Sequence, residues 1–467
     1  MSTRNLTRRM FLSSVVVTSL GVALAACAPQ ATPTPKPAEE PAVPAATAVP
    51  AAKEPVVVRF MSRAGAENIP FYEKCIQEDF EPMNPGIKVQ IEPAPDGWVE
   101  KLLAQMIAGA AVDLFQAWGN IFYNWTERDL LLDCQPFVDR DMSDAEVSQY
   151  NDFQWEGLVM KGVRVGMPKY INLMTLTLNV GMWEKYGVDL PPEDGNYDHD
   201  DYAGWMKQLT ESARSKGDED VWGGWLPMWA WDRFWNHIHM FDGLVVDEKY
   251  GKKCMLGEEN AQAAFKWAYD LEWTNNYHAQ PGQVENKWFR DAVNAKFVMT
   301  AESGTYPITS DRAFQEAGIK WDLRHVPKGP TGRRSVLGTT DAWSITKQSK
   351  VREEAWTLLH FLAGPIFQEK VIVGYDGIIP VLKPLIDGFI TKVREIQPTL
   401  EQVRLETIKE ILDWGYAEDT PWFCDQVGAT ELISPALEAV FTSGEEGPEY
   451  FIKVAEEVDA TQQDCIS

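Results

Sequence analysis

A chain of 467 residues is longer than one average domain, and with 45% hydrophobic side chains it can bury a sizeable core. Its formal charge of −26 argues against nucleic acid as a partner and against direct adhesion to anionic lipid, and it disfavours a strongly anionic ligand. The six cysteines are scattered, with none at metal-ligand spacing, so no cofactor or metal is expected.

Arg4, Arg8 and Arg9 precede an uncharged apolar run from Phe11 to Ala26. The run is short for a transmembrane helix and has the layout of an export signal. Thr7-Arg8-Arg9-Met10-Phe11-Leu12 resembles a twin-arginine signal but lacks the lysine that usually follows, so a general secretory route stays open. The run ends Leu24-Ala25-Ala26-Cys27, which resembles a bacterial lipobox. That resemblance implies cleavage before Cys27 and a lipid anchor on its sulfur, at the outer face of the cytoplasmic membrane. Residues 28–54 are rich in Pro and Ala with no apolar period, and read as a disordered tether.

The body from Pro55 holds 38 basic and 66 acidic side chains. VVVRFMSR reads as a strand, FYEKCIQEDF as a helix stopped by Pro82 and Pro85, IKVQIEP as a strand, WVEKLLAQMIAG as a helix and VDLFQAW as a buried strand. That βαβαβ order favours parallel strands covered by helices, an α/β arrangement. VRVGMPKYINLMTLTLNV reads as two extended runs broken near Pro168. KFVMTAESG and WDLRHVP are strand-like, SVLGTTDAWSIT is strand, turn, strand, and the chain after REEAWTLLHFLAG is mainly helical. YDHDDY reads as the acidic start of the helix that follows it. Among Cys75, Cys134, Cys254, Cys424 and Cys465 the odd count leaves at least one free thiol, and the pairing of the rest is open.

VWGGWLPMWAWDRFWNHIHMFDG carries Trp222, Trp225, Trp229, Trp231 and Trp235. A helix from about Met228 would put Met228, Trp231, Phe234, Trp235, Ile238 and Phe241 on one apolar face, with Trp229, Arg233, Asn236 and Met240 opposite. His237 and His239, two apart, would point roughly 200° apart on a helix and share no metal. The sequence holds no G-x-S-x-G, no H-E-x-x-H and no Walker loop, and an enzyme is not expected.

Several segments, in order, are similar to one family. They are IAGAAVDLFQA, LLLDCQPFVDRD, GVRVGMPKYINLMTLTLNVGMWEKYGV with Asn179, NAKFVMTAESGTY, VREEAWTLLHFLAG and GYDGIIPV. The chain resembles the extracellular solute-binding proteins of bacterial sugar importers, the maltose-binding-like family. Val112 stands where the family usually has proline, and Ser303-Gly304 inverts the commoner order. The resemblance implies a two-lobed, periplasmic-binding-protein-like α/β fold (type II) with a ligand in the interlobe cleft and hinge crossings near Tyr170, Gly338–Asp341 and Gly377. Residues 55–169 with 341–380 would form one lobe, and 170–340 with 381–467 the other. The implied function is to capture a mono- or oligosaccharide and deliver it, as a monomer, to ABC permease subunits.

Sugars bind through C–H faces on aromatic planes and hydroxyls bridged by carboxylate, Arg, Asn or Gln. On loops after strands and at crossings, that chemistry selects Ser62, Arg63, Glu67, Trp118, Asn120, Tyr170, Thr340, Asp341, Trp343 and Tyr375. Tyr306 matches the family's aromatic in its segment, and Trp422 lies where maltose-type binders carry a late stacking ring. Trp229, Arg233 and Trp225 complete the set. Two other readings stay open: a secreted polysaccharide-acting enzyme using Glu67 and Asp341, and capture of a polyamine, peptide or glycerol-phosphate compound.

Overall fold

The β-branched opening run forms Val56–Ser62, the pivot of the first sheet, with Val58 and Phe60 fully buried and Val57 exposed. It pairs in parallel with Ile87–Pro93 on one side and Leu114–Ala117 on the other. Parallel pairing requires crossovers, which the helices Ile69–Cys75 and Trp98–Ala108 supply. Gly109, at φ 72°, ends the second of these in the left-handed conformation a C-cap glycine favours. Ala342–Ile345 and Met167–Pro168 extend the sheet in antiparallel fashion, so a late strand returns beside the early ones. This computed structural model describes residues 54–65, 68–231, 233–284, 294–304, 306–338 and 341–465. The expected export signal, Cys27 and nearly all of the tether lie outside them.

The second sheet centres on Met174–Asn179, antiparallel to both Thr300–Gly304 and Trp321–Arg324. Every residue of the central strand is buried, as a strand covered on both faces requires. The helix His199–Ser215 starts at Asp198, whose carboxylate accepts from the backbone N–H of Asp200 and Asp201, so the acidic run is a helix cap. The C-terminal helices Gln426–Phe441 and Tyr450–Thr461 pack on each other, and Phe265 stacks on Phe451 at 4.0 Å. Cys424 and Cys465 form a disulfide, while Cys75, Cys134 and Cys254 are buried free thiols. Among the described residues no helix is long and apolar enough to cross a membrane.

Between the sheets the chain passes side by side through three segments. Lys169 N–H donates to the Asp341 carbonyl at 2.8 Å, Ile171 bridges Ile379, and Leu173 bridges Gly338. The product is two α/β lobes joined by short connecting strands.

The tryptophan run departs from its expected helix. Residues after Pro227 follow turns, Ala230 N–H to Pro227 and Arg233 N–H to Ala230, and the helix spans only Phe234–Met240. All seven of its residues are buried, Asn236 and Met240 included. The second sheet and the helix Glu259–Tyr269 enclose it, with Asn236 bonded to Glu302 and Phe234 stacked on Phe265. A helix enclosed all round shows no polar face, so the expected division into core and cleft faces does not hold.

Candidate functional site

Arg63 follows the pivot strand and turns its guanidinium over the Trp118 ring, 4.0 Å from the centroid. Trp98 meets Trp118 edge-on at 5.7 Å, so the cation lies against an aromatic corner. Arg63 Nη1 also lies 3.5 Å from Asp341 Oδ1, with 28% of the arginine side chain exposed. Tyr170 is nearly enclosed, and burial first, then the Asp341 charge, hold its phenol well above the usual range. Asn172 Nδ2 donates to Tyr306 Oη at 2.5 Å, tying the residue after the first crossing to the loop after Thr300–Gly304.

Beneath this layer lies Lys169, 4% exposed, donating to Gln116 Oε1 at 2.9 Å. Rings of Tyr170, Tyr72 and Trp343 surround its ammonium at 4.9, 5.6 and 5.9 Å. Burial pushes it down to about 8 against the opposing pull of Asp376 and Asp341. Asp376 accepts from Tyr72 Oη at 2.7 Å and Asn68 Nδ2 at 3.1 Å, and burial raises its carboxyl. The adjacent Tyr375 stacks on Phe71. One cation thus sits where all three connecting segments meet, between carboxylates from the second and third.

Arg63, Trp118, Tyr170, Asp341 and Tyr306 are therefore brought together. Arg233 contacts Met174 Sδ at the start of the second sheet's central strand, and Trp229, four residues before it, is half-buried. Glu67 and Thr340 and the side chain of Asn120 lie outside the described residues.

Four expected ligand contacts need correction, because their side chains are closed over by protein. Ser62 is enclosed and its hydroxyl accepts from Ala64 N–H, which fixes the loop turn. Trp343 is 0% exposed, its ring edge-on to Phe367 within the first sheet's cover. Trp225 is 1% exposed where its backbone extends the second sheet beside Ala301. Trp422, also 1% exposed, stacks on Tyr123.

The sequence reading passed over Lys169, Asn172, Gln116 and Asp376. Asn172 carried a signal, as a lone amide in the apolar run Ile171–Leu176. It also passed over Glu302, buried with Asn236 Nδ2 at 3.3 Å and His237 Nε2 3.1 Å away. His239 instead pairs with Glu418 at 2.6 Å, so the two histidines serve different carboxylates.

The family model of bacterial extracellular solute-binding proteins matches residues 65–369. A Brucella abortus protein named as a binding protein is 25% identical over 327 residues, covering 68% of this chain and 74% of that one. The fold is similar to that of an ABC substrate-binding protein from Listeria monocytogenes in complex with cycloalternan. The TM-score there is 0.73 at 19% identity, over 87% of this chain and 99% of that one. It is also similar to the cyclic alpha-maltosyl-1,6-maltose binding protein of Arthrobacter globiformis, with TM-score 0.70 at 14% identity over 88% and 100%. A third is a Thermotoga lettingae ABC transporter solute-binding protein bound with alpha-D-tagatose, with TM-score 0.68 at 19% identity over 87% and 99%. With two α/β lobes, three adjoining connecting segments and a family match over most of its length, the chain belongs to the bacterial extracellular solute-binding proteins.

Proposed function

We propose that the protein captures a mono- or oligosaccharide outside the cytoplasmic membrane and delivers it to the permease of an ABC transporter. In this reading residues 55–169 with 341–380 form one lobe and 170–340 with 381–467 the other, the lobes close on the sugar, and no bond of the sugar is broken. A lipid on Cys27 and the 28–54 tether would hold the body near its permease.

The observation that carries the reading is the chain of contacts Trp98–Trp118–Arg63–Asp341–Tyr170 beside Asn172–Tyr306. It sets aromatic faces next to a guanidinium, a carboxylate and an amide, the pairing that a polyhydroxylated ring with apolar C–H faces requires. Trp229 and Arg233 would supply the facing wall. The sugars in the similar structures support the same class of solute.

Isothermal calorimetry and thermal shift with cycloalternan, maltose and tagatose test it. Binding at a hundred times the Kd stabilises by about 2.7 kcal/mol, and the recovered sugar should be unchanged. No shift with a broad sugar panel at millimolar concentration would overturn the carbohydrate assignment. Loss of palmitate labelling in Cys27→Ala tests the anchor.

A further inference from the structure

We propose that Tyr123, Lys161 and Tyr250 are positioning residues that latch the two lobes together, and that the Cys424–Cys465 disulfide braces the loop they grip. The proposal rests on the lobe assignment given above.

Tyr123 lies on the helix Gly119–Glu127, which directly follows the first-sheet strand Leu114–Ala117. Its hydroxyl faces the carbonyls of Phe423 at 2.8 Å and Cys424 at 3.2 Å, sharing one proton between two acceptors. Its ring stacks on Trp422 at 5.0 Å with 12° between planes. Lys161 Nζ donates to the same Cys424 carbonyl at 2.9 Å and to Glu127 at 2.8 Å. Tyr250 Oη accepts from Lys161 N–H at 3.2 Å and faces the Val159 carbonyl at 3.4 Å.

Two features separate this contact from ordinary packing. Lys161 and Tyr250 both have positive φ, 47° and 62°, which side-chain-bearing residues rarely adopt, and they meet each other here. Lys161 and Gly162 form the tight turn between Val159–Met160 and Val163–Arg164, so the hairpin tip projects the ammonium toward the other lobe. The gripped carbonyl also belongs to a cystine. Cys424 is tied to Cys465, and the Gln462 side chain bonds both N–H and C=O of Asp425 at 2.7 and 2.9 Å. Tyr250 N–H to Trp422 O and Cys424 N–H to Gly251 O join the two second-lobe loops into one surface.

A latch that favours the closed form raises apparent affinity by enlarging the competent fraction, without touching the solute. Reduction by a dithiol would deliver two electrons and two protons to the cystine, giving two thiols while the dithiol closes to its own disulfide. The loop then loses its brace, and closure weakens.

Single-molecule energy transfer on the purified ligand-free protein tests this, with one dye per lobe on non-natural amino acids. Wild type should show a closed population; Tyr123→Ala should lower the closed-to-open ratio about tenfold, and Tyr123→Phe and Lys161→Ala severalfold. Dithiol treatment and the Cys424→Ser/Cys465→Ser variant should act in the same direction. Tyr123→Phe keeps the ring, so its melting temperature should stay near wild type while the ratio moves. A wild type with no closed population, or a ratio unmoved by Tyr123→Phe and Lys161→Ala, overturns the latch. The sugar panel is independent: its failure alongside a shifted ratio refutes the carbohydrate reading and leaves the latch standing.

Discussion

Replacing Lys169 by methionine should change how stability depends on pH. The folded-state ammonium sits at about 8 where an ordinary lysine titrates at 10.5, with burial as the main cause and Asp376 and Asp341 opposing it. The unfolded chain therefore binds more protons than the folded one between about pH 8 and 10.5. Stability from this group rises with pH across that window, by about 1.4 kcal/mol per unit and about 3 kcal/mol in all. Below pH 8 the cost of burying the charge is fully present. Methionine fills a similar volume and removes the titration, but it leaves Gln116 Oε1 and the Asp376 carboxylate without their cation. That loss costs about 1–3 kcal/mol at pH 7. Urea unfolding of both proteins at pH 7.5, 8.5 and 9.5 reads the difference between them, in which other titrating groups cancel. Wild type should gain on Lys169→Met as pH rises. A difference independent of pH would mean that the ammonium is solvated, and the account of the buried junction would fail.

Arg63→Ala should weaken solute binding at least tenfold, by calorimetry, because the guanidinium lies between Trp118 and Asp341; its partial exposure predicts little change in melting temperature. Trp229→Ala should likewise reduce affinity with a small stability cost, whereas Trp225→Ala should cost about 3–5 kcal/mol in denaturant unfolding through a core cavity. Comparable destabilisation by both would make Trp229 a core residue. Reducing Cys424–Cys465 frees a loop with a sequence separation of 41 and should destabilise by about 3–4 kcal/mol, measured by melting with and without dithiol.

Period and punctuation made the first lobe legible. The strands at Val56–Ser62, Ile87–Pro93 and Leu114–Ala117, and the helices between them, follow their local patterns. The strands Val336–Leu337 and Ala342–Ile345 also form where expected, but they lie in different sheets, and Gly338 bridges Leu173 in extended backbone. The helix at Phe234–Met240 was misread because an amphipathic wheel assumes one wet side, and burial on every side leaves no period to detect. Arg63, Trp118 and Asp341 were accessible as polar or aromatic residues at strand ends. Lys169 and Asp376 were not, because Gln116 lies 53 residues from Lys169, Tyr72 and Asn68 lie 304 and 308 residues from Asp376, and a buried ion network has no local signature. Trp343 and Trp422 show the converse: residue type and position suggested a ligand face, and only three-dimensional packing showed the rings covered. The Cys424–Cys465 pairing depends on the C-terminal helix returning to the 422–424 loop, which spacing alone cannot supply.

The most direct test of the central claim is native mass spectrometry of the protein purified from its own exported form, followed by release of whatever co-purifies. The account predicts a neutral solute with the mass of one or more sugar units, displaced by excess of the same sugar and lost in Arg63→Ala. A bound polyamine, peptide or phosphate ester, or conversion of an added oligosaccharide to products, would contradict it.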